Sequence, residues 1–84
     1  MIDKKLQWAE WAEFMYELED AKEHLQKLIK DLEHAADYDE DALRIDLGHV
    51  YAHLNRAWRR SAKALSDADW ESASRFPDDL TPIG

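Results

Sequence analysis

The sequence predicts an all-α protein. It reads as an antiparallel hairpin of two long helices, followed by a short C-terminal helix and an extended tail, dimerising into a four-helix bundle. Three observations predict this. No glycine or proline appears before Gly48. Apolar residues recur at Trp11, Phe14, Leu18, Ala21, Leu25, Leu28, Leu32 and Ala35. These alternating steps of three and four keep one seam along a helix. The acidic run "DYDED", residues 37–41, then interrupts the seam. A second seam follows at Leu43, Leu47, Val50, Leu54, Ala57, Ser61, Ala64 and Ala68.

Each element has a local cause. Asp3 is placed to cap a first helix over about 4–36, its side chain accepting from free amides of the first turn. Asp37 or Asp39 is placed to cap a second helix over about 39–65, because acidic residues oppose the positive end of the helix dipole. Arg59, Arg60 and Lys63 fall toward its C-terminal part, the favourable end for cations. Ser66 with Asp69 resembles a capping box and predicts a short helix over about 67–75. Pro77 and Pro82 then make residues 76–84 an irregular tail. Its Phe76, Leu80 and Ile83 suit it to docking on the hairpin.

Helices joined by so short a connection should return antiparallel. The seams match when Leu25 lies opposite Val50, Leu28 opposite Leu47, Leu32 opposite Leu43 and Leu18 opposite Ala57. That register centres the turn between Asp37 and Tyr38, inside the acidic run. The two flanks then differ. One pairs Trp8 with Leu65, Met15 with Trp58, Lys22 with Tyr51 and Ile29 with Arg44. It is apolar toward the open end of the hairpin, and a stripe wider than one seam implies more than two helices in contact. Trp8, Trp11, Met15, Gly48, Tyr51, Asn55, Trp58, Leu65 and Trp70 are therefore the expected interface. Glycine inside a helix costs about 1 kcal/mol against alanine, so Gly48 suggests close approach by another backbone or a ring. The favoured cover is a second hairpin, with the tail contributing; the alternative is the chain's own tail, through Trp70, Phe76 and Leu80.

The other flank is polar. It pairs Glu17 with Arg60, His24 with His53 and Asp31 with Asp46, with Asp20, His34, His49 and Arg56 on the same edge. His49 and His53, one turn apart, can chelate an ion, with Asp46 and His24 as further donors. Imidazole plus carboxylate suits zinc or another divalent transition metal. "HVYAH" carries Val50 where a zinc protease helix needs its glutamate. Asp31-x-x-His34 and Asp46-x-x-His49 echo the Glu-x-x-His of di-iron bundles, but on an edge rather than in a core. Against the metal stands the ordinary reading, a solvated polar edge; a pH-sensitive contact is a third, since His titrates near neutrality.

The cluster Arg56, Arg59, Arg60 and Lys63 around Trp58 could touch RNA through phosphates and stacking. Helix-end charge compensation and a Glu17–Arg60 bridge are the favoured account of it, and a contact with an acidic protein is favoured over nucleic acid. The formal net charge of −8 repels nucleic acid and anionic lipid from the chain as a whole. The tryptophans could line a ligand pocket, anchor a partner, or fill a core. No nucleophile motif or Gly-rich phosphate loop appears, so an enzyme is not indicated.

The 84 residues make one domain, too small for much stability alone. With no cysteine, support must come from a partner, a His/carboxylate metal, or packing. No signal-peptide h-region and no membrane span is apparent, and a cytoplasmic location is expected. The sequence thus predicts a protein–protein interaction or scaffold module, homodimeric and bound to no obligatory cofactor. A metal-binding bundle and an RNA-contacting accessory protein are the alternatives.

Overall fold

The computed structural model describes residues 1–62 and Ala73. Among these it is an all-α hairpin: α1 spans Trp8–His34 and α2 spans Glu40–Arg60, with no strand. The expected short helix and tail, and Lys63, Leu65 and Trp70, lie outside the described residues.

The N-terminus departs from a simple first helix beginning near Lys4. Asp3 does cap, its Oδ1 accepting from the amides of Lys5 at 2.8 Å and Leu6 at 2.9 Å. It caps only a single turn, however. The side chain of Gln7 folds back to accept from the Asp3 amide at 2.9 Å, and its backbone leaves helical geometry at φ −123°, ψ 53°. The helix proper starts afterwards. This break turns Ile2 back toward the far end of the hairpin. There its amide donates to the Ser61 carbonyl at 2.7 Å, and its side chain is buried. The opening residues thus satisfy an otherwise orphaned carbonyl at the end of α2.

α1 stops at His34, and Ala35 is extended. Negative charge in the residues that follow would oppose a helix C-terminus but favours an N-terminus. Asp39 uses this: its backbone is extended and its Oδ1 accepts from the Ala42 amide at 2.8 Å. Of the two candidate caps, Asp39 is the one that caps α2. At the far end the Ser61 hydroxyl donates to the Trp58 carbonyl at 2.6 Å, and residues 61–62 form a turn.

Ala21 and Leu28 from α1 and Val50 and Ala57 from α2 make the buried seam. Alanine at two of the four positions lets the helices approach closely. The remaining expected seam residues are not all covered. Leu25, Leu32 and Leu54 stay 43%, 52% and 40% exposed. Two helices can shield only one side of a shared seam, so residues that straddle it turn partly outward. The close approach expected at Gly48 does not occur within the chain. A β-carbon there would meet nothing within 4 Å, and the glycine has no positive φ.

Two measurements check this frame. Ile2→Ala is expected to lower unfolding stability by about 2 kcal/mol, while Leu6→Ala, at an exposed position, changes it by less than about 0.5 kcal/mol. Gly48→Ala is expected to raise the stability of the single chain by about 0.5–1 kcal/mol through helix propensity alone. Urea denaturation at low protein concentration reads both.

Candidate functional site

The polar edge contains a buried ionic node. Glu17, in the middle of α1, is 7% exposed. Its Oε2 accepts from Arg56 Nε at 2.6 Å and from Arg60 Nε at 3.4 Å. Its Oε1 lies 3.1 Å from His53 Nδ1. Arg60 also donates through Nη1 to Glu13 at 2.8 Å. The spacing explains the assembly. Glu13 and Glu17 are one turn apart on α1, and His53, Arg56 and Arg60 are successive turns of α2. Two carboxylates meet two guanidiniums, so the node is electrically balanced.

His53 is held in competition. Arg56 Nη2 lies 2.9 Å from the same Nδ1 that faces Glu17. With its proton on Nδ1, the ring donates to Glu17 and faces the guanidinium as a second donor. With the proton on Nε2, Nδ1 accepts from Arg56 and faces the carboxylate as a second acceptor. Each tautomer satisfies one neighbour and frustrates the other.

Farther toward the turn the edge is lined by imidazoles. The rings of His24 and His53 stack with centroids 5.0 Å apart and planes at 25°. His24 also meets His49, at 5.4 Å and 53°. Ligand atoms of Glu17, Asp20 and His53 lie within 4.8 Å of one another. Asp46 is engaged elsewhere: Tyr38 Oη donates to its Oδ2 at 2.5 Å. Loss of solvent around the phenol, and then this bond, push the Tyr38 pKa up to about 12. Lys27, exposed on α1, bonds Asp31 at 2.8 Å, which raises its pKa.

Of the sequence-derived metal set, the rings of His24, His49 and His53 lie side by side and Asp46 pairs with Tyr38, whereas the donors whose ligand atoms lie within 4.8 Å of one another are Glu17, Asp20 and His53. Asp20 was legible as an edge residue, and its i, i+4 spacing to His24 was the available signal for it as a donor. His34 points into solvent and approaches only Glu33, at 3.9 Å. Of the basic cluster, Arg56 and Arg60 turn their charge inward to α1, and Arg59 is half-buried. The helix-end and Glu17-bridge account of that cluster fits this geometry better than an exposed phosphate-binding strip.

The opposite face is apolar and open. Leu25, Ile29 and Leu32 follow one another along α1, and Tyr51, Leu54 and Trp58 along α2, all at least 40% exposed. Trp8 is 74% exposed. Trp11 is half-buried, its ring 5.5 Å from that of Phe14, and Met15 is half-buried beside it. Asn55 is buried within the chain at 1% exposure rather than displayed on that face. No helix among the described residues is long and apolar enough to cross a membrane. Comparison of the chain with protein-family models, with curated proteins and with solved structures finds no match.

Removing one partner from a buried ion pair leaves the other uncompensated. Glu17→Gln is therefore expected to cost about 3 kcal/mol of stability, and Glu13→Gln, on a half-exposed bridge, less than about 1 kcal/mol. Chemical denaturation of the two variants at neutral pH compares them. Because the folded Tyr38 pKa stands above its usual value of 10.0, its contribution is complete below pH 10 and is lost as pH rises toward about 12. An absorbance titration of phenolate is expected to show one late-ionising tyrosine, absent in Tyr38→Phe. The same substitution should remove part of the alkaline loss of stability.

Proposed function

We propose that the chain is a protein–protein interaction or scaffold module that associates with a second copy of itself through its apolar face. The observation that carries this reading is the exposure of Leu25, Ile29 and Leu32 on α1 and of Tyr51, Leu54 and Trp58 on α2, every one at least 40% exposed. Six large apolar side chains on one side of so small a hairpin exceed the scattered exposed residues normal for a monomer. Among the described residues, two helices form one layer, and such a face is buried by adding a second. A symmetric pair of hairpins supplies it, giving a four-helix bundle with the charged edges outside.

Trp58 and Tyr51 suit the role of anchors, since they provide large contact area at low entropic cost. Charge supports the same orientation. The ionic node and the imidazoles lie on the opposite edge, so closing the apolar faces together desolvates none of them. An RNA-binding reading draws no support from Arg56 and Arg60, whose guanidiniums are turned toward Glu17 and Glu13.

Sedimentation equilibrium on metal-free protein tests the proposal. The expected result is a dimer that Ile29→Lys or Leu54→Lys converts to a monomer, with helical circular dichroism retained at high protein concentration. His49→Ala, on the other edge, should leave the dimer intact. A monomeric parent chain, or a dimer indifferent to both lysine substitutions, would overturn it.

A further inference from the structure

The geometry points to a transition-metal site on the polar edge, in which Asp20 and His24 from α1 and His49 and His53 from α2 bind one divalent ion of the zinc class and clip the two helices together. It is independent of self-association, which uses the other face.

The donors form two pairs at i, i+4, one on each helix. Such a pair places two ligating groups on one helical face, one turn apart. The hairpin brings the pairs together, since His24 lies against both His49 and His53, at 5.4 and 5.0 Å between ring centres. Two imidazoles on one tetrahedral ion, with bonds of about 2.0–2.1 Å, hold their rings at comparable separation, but with the ion in both ring planes, so the stacked His24 and His53 rings, at 25° to each other, must turn to bind it. Asp20 adds a carboxylate within 4.8 Å of ligand atoms of both His53 and Glu17. Three neutral imidazoles and one carboxylate form a borderline donor set that suits zinc, cobalt or nickel and not calcium or magnesium, which prefer oxygen.

Other charged groups nearby leave these donors available. Glu17 faces His53 too, but its Oε2 is taken by Arg56 and Arg60, and Glu13 balances Arg60. Asp20, His24 and His49 make no hydrogen bond or ion pair among the described residues. His24 and His49 are exposed and Asp20 half-buried, so their side chains have room to turn toward a shared ion.

Glu17 is the independent pointer to a metal. A metal-bound histidine commonly donates its other ring N–H to a carboxylate, which fixes the tautomer and strengthens the ligand. His53 Nδ1 already faces Glu17 Oε1 at 3.1 Å. An ion on Nε2 puts the proton on Nδ1 and resolves the competition with Arg56 in favour of the carboxylate. Glu17 is thus a positioning residue for His53, not a ligand.

The test uses the untagged full chain, titrated with Zn²⁺ by calorimetry and with Co²⁺ by visible absorption. The expected result is one ion per chain, intense tetrahedral Co²⁺ bands, and a melting temperature that rises with Zn²⁺. His24→Gln and His49→Gln, both exposed and so compatible with folding, should each weaken binding by at least about tenfold. His34→Gln should bind like the parent chain. Glu17→Asp, which keeps the charge but shortens the reach to His53, should weaken binding while leaving the tetrahedral bands. No saturable binding, one ion per two chains, or affinity unchanged in His24→Gln and His49→Gln would overturn the proposal.

Discussion

A single buried carboxylate organises this hairpin. Glu17 sits where the heptad pattern borders the seam, and removal of its charge from water is costly unless every oxygen is satisfied. α2 supplies the satisfaction through Arg56, Arg60 and His53. Because these donors are spaced at successive turns, all three reach the carboxylate together in the observed register. Sliding either helix by a turn would lose at least one of them. The apolar seam, with alanine at two of its four buried positions, is comparatively featureless and would resist slippage far less. Burial of Leu28 and Val50 contributes about 1.5–3 kcal/mol each; the node contributes uniqueness of alignment.

The same node divides the molecule into unlike faces. On its own side lie the imidazoles, Asp20 and the carboxylates of the edge. On the other lie Leu25, Ile29, Leu32, Tyr51, Leu54 and Trp58. The hairpin is thereby an asymmetric plate, charged on one edge and apolar on the opposite face. The two proposed interactions exploit different physics. A second copy would remove apolar surface from water, whereas a metal ion would replace hydration with fixed nitrogen and oxygen ligands. They do not compete for residues, and either one would stiffen a pair of helices that lacks disulfides.

Among the described residues, specific hydrogen bonds close both ends of the hairpin. At the turn, Asp39 caps α2, while Tyr38 reaches over to Asp46 and so ties the loop to the helix it precedes. At the open end, Ile2 bonds the last carbonyl of α2 and buries its side chain. The chain terminus therefore joins the helix ends that would otherwise fray.

Legible in the sequence alone were the two helices, an acidic cap for α2 at Asp37 or Asp39, the antiparallel register, and the separation of a polar from an apolar flank. These follow from periodicity and from the dipole preference of acidic residues, which are properties of short stretches. The contacts His24–His53 and Glu17–Arg60 were legible because a register, once fixed, places whole rows of residues opposite each other. Tertiary structure alone decided that Asp39 rather than Asp37 caps α2, that Arg56 rather than Arg60 makes the shortest bond to Glu17, that Asp46 serves Tyr38 while Asp20 approaches His53 and Glu17, that Ile2 returns to Ser61, and that Leu25, Leu32 and Leu54 remain half-open. Each of these depends on where long side chains reach in three dimensions and on what surface a second helix leaves uncovered. A linear pattern records on which face a residue lies, but not which of several partners on that face its terminal atoms will meet.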